Sequence, residues 1–177
     1  MPDSPARNPR LDLLALDIER HAAASGWDQP ARIFALVETA DLLRQEPQLA
    51  AQLGLEEGQP GALTPVDQGD LPSYQTLDEL LGGIAWPAEV LGAAISVERL
   101  MVPPAVETDM PQDEAAALQW LAEHPDRQEV RLVVAVLRDG SRSAALRMRR
   151  HDEETSVLTG TDLVPGLADA LSATLGD

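Results

Sequence analysis

Residues 130–149 read VRLVVAVLRDGSRSAALRMR, and this stretch decides the fold class. Two strand-like runs, 130–137 and 143–149, flank the segment Arg138-Asp139-Gly140-Ser141. An Asp-Gly pair between two such runs is the favoured chemistry of a two-residue type I′ hairpin turn. The stretch therefore predicts two antiparallel strands joined by a tight hairpin.

Closing the hairpin through Asp139-Gly140 fixes which side chains share a face of the sheet. Leu137 is then opposite Arg142, and Arg131 is opposite Met148, on a mainly apolar face that we predict to be core. The other face is aliphatic on one strand and partly cationic on the second. It would carry Val130, Leu132, Val134, Val136, Ser143, Ala145, Arg147 and Arg149.

Two explanations fit this mixed face. In the first, a helix covers the aliphatic residues, and the arginines lie at its rim, paired with the chain's own carboxylates. In the second, the patch binds an acidic or phosphorylated partner, because guanidinium groups bind carboxylate and phosphate in a bidentate manner. Seven of the 13 basic residues fall between 127 and 150. The candidate partner- or anion-binding residues are Arg142, Arg147, Arg149, Arg150 and His151.

Helix and strand patterns continue on the N-terminal and C-terminal sides of the hairpin. Helices are predicted to begin at Asn8-Pro9, Thr76, Pro111 and Pro165, and strands to cover 32–37, 62–66 and 94–102. Pro65 confines its strand to a sheet edge. The helix after Pro111 has an apolar stripe of Leu118, Leu121 and Ala122. We interpret Gly82, Gly83 and Gly92 as residues that end helices.

The pattern as a whole predicts an α+β fold in a single domain, residues 10–177, after a disordered tail, residues 1–9. We expect a mostly antiparallel sheet of about four to five strands, with helices packed on it. The segment 103–112 is the one place where the domain could be subdivided.

Charge and composition limit the classes of partner. The net charge of −17 repels nucleic acid phosphates and anionic lipids, so we predict no nucleic acid partner. The longest apolar run, Leu132–Leu137, is far shorter than the roughly 20 residues that span a bilayer, so we predict no membrane insertion. No cysteine is present, and no secretory signal pattern opens the chain, which favours a cytoplasmic location.

Motifs for catalysis or cofactor binding are missing from the sequence: there is no phosphate loop, nucleophile elbow or zinc-protease pattern. We therefore expect no cofactor and no metal, and we lean against an enzyme. The leading hypothesis is a non-catalytic interaction or adaptor protein that binds a protein partner or forms a homo-oligomer. The alternative is a small-molecule or metal-binding protein, or an enzyme, that uses carboxylates near His151, since three acidic residues follow this imidazole.

Three segments carry a resemblance to a known family: residues 26–37, 130–140 and 162–168. Together they resemble an uncharacterised family of actinobacterial proteins, and the similarity covers most of the chain. The lysine-free, alanine-rich composition is consistent with such a host. The resemblance implies no activity, cofactor or catalytic residue.

Overall fold

A computed structural model describes residues 8–52, 54–55, 62–68, 77–151, 157–161 and 163–176. The helices in this part are α1 (Pro9–Ala24), α2 (Thr39–Gln45), α3 (Pro47–Gln52), α4 (Leu77–Gly82), α5 (Pro104–Glu107), α6 (Glu114–Glu123) and α7 (Pro165–Ala173). The strands are β1 (Arg32–Glu38), β2 (Leu63–Asp67), β3 (Gly92–Met101), β4 (Gln128–Leu137), β5 (Arg142–Met148) and β6 (Leu158–Gly160).

The described strands form one antiparallel sheet in the order β2-β1-β3-β4-β5-β6. The predicted α+β class is confirmed, but the sheet has six strands where we predicted four to five. The strand that was missed, β6, has only three residues, too few to show an alternating pattern. The edge position predicted for the strand with Pro65 is confirmed, because β2 is at one end of the sheet.

Helices cover both faces of the sheet. Helix α1 begins as predicted: the Asn8 side chain accepts hydrogen bonds from the backbone N–H groups of Arg10 and Leu11, at 3.1 and 3.4 Å. Its apolar side packs on one face of the sheet, in a cluster of Leu11, Leu14, Ala15, Ile18, Phe34, Leu36, Ala94, Val133, Ala135 and Ala145. Helices α4 and α7 pack on the opposite face, against residues such as Ile33, Ile95 and Val134.

Of the predicted tail, residues 1–7 lie outside the described residues, and Pro9 is the first residue of α1. The single domain and its subdivision near 103–112 stay predictions.

The predicted hairpin exists, but its turn type and register were wrong. Val136 is opposite Arg142 and Arg131 is opposite Arg147, a shift of one residue from the predicted pairing. The loop has three residues, and the Leu137 N–H donates to the Ser141 carbonyl across it, at 2.9 Å. Of the loop residues, only Gly140 has a positive φ, of 93°, whereas a type I′ turn needs two.

A one-residue shift moves every side chain of β5 to the other face. Arg147 therefore lies beside Arg131 on the face covered by α1, whereas Ala144 and Leu146 join the opposite face. The mixed aliphatic and cationic face predicted from the sequence does not form.

Gly92 is not a helix stop, contrary to our interpretation. It is the first residue of β3 and lies between Leu36 of β1 and Leu137 of β4. A Cβ atom at this position would be 2.2 Å from the Val136 carbonyl oxygen. The close approach of β3 and β4 therefore requires glycine. Gly82 and Gly83, by contrast, do lie at the end of α4.

Arg138, at the hairpin loop, connects three segments through backbone carbonyls. Its Nε donates to the Val90 carbonyl at 2.7 Å, and its Nη2 donates to the Pro87 carbonyl at 3.1 Å. Its Nη1 donates to the Leu175 carbonyl, just after α7. The guanidinium thus joins the hairpin to the segment before β3 and to the end of the chain.

Replacing Arg138 with alanine is expected to lower the free energy of unfolding by about 2 kcal/mol, because several carbonyls lose a charged donor. Urea denaturation of purified protein measures this change. The matched control is Arg127→Ala, since Arg127 is exposed and its guanidinium contacts one carbonyl, that of His124. A control change within about 0.5 kcal/mol is expected. Equal losses in the two variants would contradict the assigned role.

Candidate functional site

A buried ionic cluster lies between α1 and the hairpin. The Glu19 carboxylate accepts hydrogen bonds from Arg147 Nε at 2.6 Å and Arg147 Nη2 at 2.9 Å, and Arg131 Nη1 is 3.4 Å away. The three residues have relative exposures of 0%, 3% and 1%. The Glu19 carboxylate thus contacts both arginines, which the hairpin register places side by side.

The cluster extends to the surface through Trp27. The guanidinium carbons of Arg131 and Arg149 are 4.4 and 5.6 Å from its ring centroid, and Arg131 Nη2 also donates to the Gly26 carbonyl. Cation–π contacts of this kind hold the indole in place at the end of α1. Trp27 is therefore part of the packing between α1 and β4.

Arg149 is paired with two carboxylates at the surface. Its Nη1 is 2.9 Å from Asp28 Oδ1 and 2.6 Å from Glu129 Oε2. The hydrogen bond and the charge of Arg149 lower the pKa of Asp28, and hydrogen bonds to both carboxylates raise the pKa of Arg149. The negative charge of Asp28 and the positive charge of Arg149 are thus stabilised.

The backbone at Asp28 has a φ of 65°, and the Glu98 carboxylate stabilises this conformation. The backbone N–H groups of Asp28 and Gln29 donate to the Glu98 carboxylate at 2.8 and 2.7 Å. Glu98 belongs to β3, so this contact fixes the turn before β1 against the middle of the sheet.

Three of the five candidate anion-binding residues, Arg142, Arg147 and Arg149, lie in separate ionic contacts. Arg147 is buried with Glu19, and Arg149 is paired with Asp28 and Glu129. Arg142, at the other end of β5, contacts Asp169 of α7.

Arg150 is exposed, and no ionic partner for it occurs among the described residues. Only the backbone of His151, in the 3-10 turn Arg149–His151, is described, and the acidic residues 152–154 lie outside the described part. Anion binding at Arg150 and His151, like the carboxylate site near His151, stays a prediction.

A groove that we did not predict lies between β3 and α6. Its volume is about 540 Å³, and its lining consists of Val97, Glu98, Arg99, Leu100, Met101, Val102, Met110, Leu118, Leu121, Leu132 and Val164. Cavities of this size accommodate ligands or peptide side chains. The groove is mainly apolar, and its far wall is helix α6.

The apolar stripe of α6 is the feature of the sequence that indicates this groove. Leu118, Leu121 and Ala122 form the apolar stripe predicted for this helix. Leu118 is 61% exposed, Ala122 is exposed, and Leu121 is only partly buried. Leu118 and Leu121 line the groove, and Ala122 does not belong to its lining.

Charge is distributed unevenly around the groove. The stretch 100–126 contains six acidic residues and no lysine or arginine, and it includes the whole α6 wall. Asp109, Asp113 and Glu123 are exposed members of this set. The α6 wall of the groove therefore presents apolar side chains and belongs to a stretch that carries only negative charge.

Among the described residues, no group of three or more His, Asp or Glu side chains is arranged to hold a metal ion. None of the helices described is both long and apolar enough to cross a membrane.

The chain is similar to a known family of proteins. The model of a protein family described as PPA1309-like protein matches residues 11–176, nearly the whole chain. No curated protein and no solved structure shows significant similarity to the chain. This match confirms the resemblance to an actinobacterial family seen in the sequence. The chain belongs to the PPA1309-like protein family.

Proposed function

We propose that this chain is a non-catalytic interaction protein that binds a protein partner in the groove between β3 and α6. One observation carries the proposal: Leu118 is 61% exposed at the wall of an apolar groove of about 540 Å³. Exposed apolar surface that lines a concave site is typical of places where proteins bind one another.

The chemistry of the lining supports binding more than catalysis. Glu98 and Arg99 are the only charged residues that line the groove among those described. The Glu98 carboxylate already accepts two backbone N–H groups, so it is engaged in holding the fold. A catalytic site would need polar groups that converge on a substrate.

The alternative from the sequence is a small-molecule or metal site near His151. It concerns acidic residues outside the described part and stays a prediction.

Leu118→Glu is expected to abolish partner binding while it leaves the fold intact, because it places a charge at an exposed apolar position. Leu13→Glu is the matched control, since Leu13 is 64% exposed on another helix, α1. The partner would be captured from a cytoplasmic extract of the native host with the wild-type chain, identified, purified and measured by calorimetry. We expect binding at least about 100-fold weaker for Leu118→Glu, as for central interface residues, and unchanged for Leu13→Glu.

Circular dichroism and thermal unfolding establish that both variants are folded. Equal affinity of the purified partner for Leu118→Glu and the wild-type chain would overturn the proposal. If light scattering shows that the wild-type chain self-associates and that Leu118→Glu is monomeric, the partner is a second copy of this chain.

A further inference from the structure

We infer that the partner enters the groove as an extended segment, which adds to the open edge of β3 as a further strand and carries apolar and basic side chains. This inference rests on the proposed function and specifies the class of partner.

The first support is a mismatch in strand length. Strand β1 pairs with β3 only as far as the Arg32–Ser96 pair, whereas β3 continues to Met101 in its pairing with β4. Among the described residues, the β1 side of 97–101 therefore has no strand partner, and the segment before β1 contacts it only near Glu98, whose carboxylate accepts the Gln29 N–H. Backbone groups on such an edge form a template for another chain.

The second support is the course of the groove along this edge. Six consecutive residues, 97–102, line it. Successive side chains of a strand point to opposite faces, so a groove that touches all six reaches the strand edge. Its further lining by Leu132 and Val164 extends it over one face of the sheet. An occupant of the groove would thus lie beside the open backbone groups.

The third support comes from the two walls. One wall is a strand edge and the other is helix α6, with Leu118 and Leu121 facing the groove. An extended peptide can bond to the edge through its backbone and bury alternate side chains against the helix. A helical occupant would satisfy its own backbone groups and leave the β3 edge unpaired.

The fourth support is charge complementarity. The stretch 100–126, which includes the α6 wall, has six acidic residues and no basic one, and the whole chain has a net charge of −17. Arg99 is a single cation on the strand side. An acidic segment would be repelled by the negative charge of this stretch and of the chain, whereas lysine or arginine side chains would be attracted to it.

The test uses a phage-displayed library of short linear peptides, selected against the full chain. Selected peptides are synthesised, and their affinities for the wild-type chain, Leu118→Glu and Leu13→Glu are measured by fluorescence anisotropy. We expect peptides with alternating apolar residues and with lysine or arginine, which bind the wild-type chain and Leu13→Glu equally but not Leu118→Glu. Replacing one basic residue of the peptide with glutamate should weaken binding by about tenfold.

The extended conformation is tested by methylating the backbone nitrogens of the peptide one at a time. A strand that adds to β3 donates hydrogen bonds from every second N–H, so methylation should weaken binding by about tenfold at alternate positions. Loss of affinity at every central position, as for a bound helix, would overturn the inference. So would the selection of acidic peptides, of peptides that bind Leu118→Glu normally, or of none.

Failure of the inference that the partner binds as an extended segment can be distinguished from failure of the proposed function. The native partner is measured separately, with the same pair of leucine variants. If that partner needs Leu118 but the peptides behave as helices, the groove is the binding site and only the form of its occupant was wrong. If the partner does not need Leu118, the proposed function fails as well.

Discussion

Glu19→Ala is expected to lower the free energy of unfolding by about 3–5 kcal/mol, which would make it one of the most damaging single substitutions in the chain. The variant would leave the guanidinium groups of Arg131 and Arg147 buried, at 1% and 3% exposure, without their shared carboxylate. Urea denaturation, followed by circular dichroism, measures the loss. Failure of the variant to fold would be the extreme form of this result.

Two controls separate the effect of charge from that of packing. Asp17→Ala removes an exposed carboxylate from the same helix and should change stability by less than about 0.5 kcal/mol. In the triple variant Glu19→Leu, Arg131→Met, Arg147→Leu, no guanidinium is left buried without its carboxylate, and stability should be higher than that of Glu19→Ala. A loss below about 1 kcal/mol for Glu19→Ala alone would contradict the role given to the cluster.

Gly92→Ala is expected to destabilise the chain by about 3 kcal/mol, because the new methyl group would meet backbone atoms of β4. Its Cβ would be 2.2 Å from the Val136 carbonyl oxygen, so β3 and β4 would have to separate. Thermal unfolding measures the effect. Gly82→Ala is the matched control, since nothing lies within 4 Å of a Cβ atom there. Similar unfolding temperatures for the two variants would show that the close strand approach is absent.

The fold class could be predicted from the sequence because it depends on local patterns. The long apolar run in β4 and the alternation in β3 are visible in the residues themselves, as are the Asn8 cap and the prolines that open α1 and α7. The hairpin register could not be predicted from Asp139-Gly140. This dipeptide suits a two-residue loop and also a three-residue loop with the glycine in the left-handed region, and only the second occurs.

The error in register hid the buried cluster. With the predicted pairing, Arg131 and Arg147 lie on opposite faces of the sheet, so no single carboxylate could bind both. Glu19 was then one of 30 acidic residues with nothing to distinguish it. The observed register puts the two arginines opposite each other under α1, and Glu19 becomes their common partner.

The groove could not be predicted from sequence patterns, for a different reason. The apolar stripe of α6 predicts that Leu118 and Leu121 face apolar surface, but periodicity does not say whether that surface is covered. The open edge of β3 arises because β1 stops pairing at Ser96 and β3 continues. Such a mismatch between strands is a property of the assembled sheet.

The most direct test of the proposed binding site is amide hydrogen exchange of the chain with and without its purified native partner. We predict that bound partner slows exchange in β3 from 97 to 101 and in α6 around Leu118, because the open edge gains hydrogen bonds and the groove is filled. Unchanged exchange in both segments, with slowing elsewhere, such as on α1 around Leu13, would contradict this account.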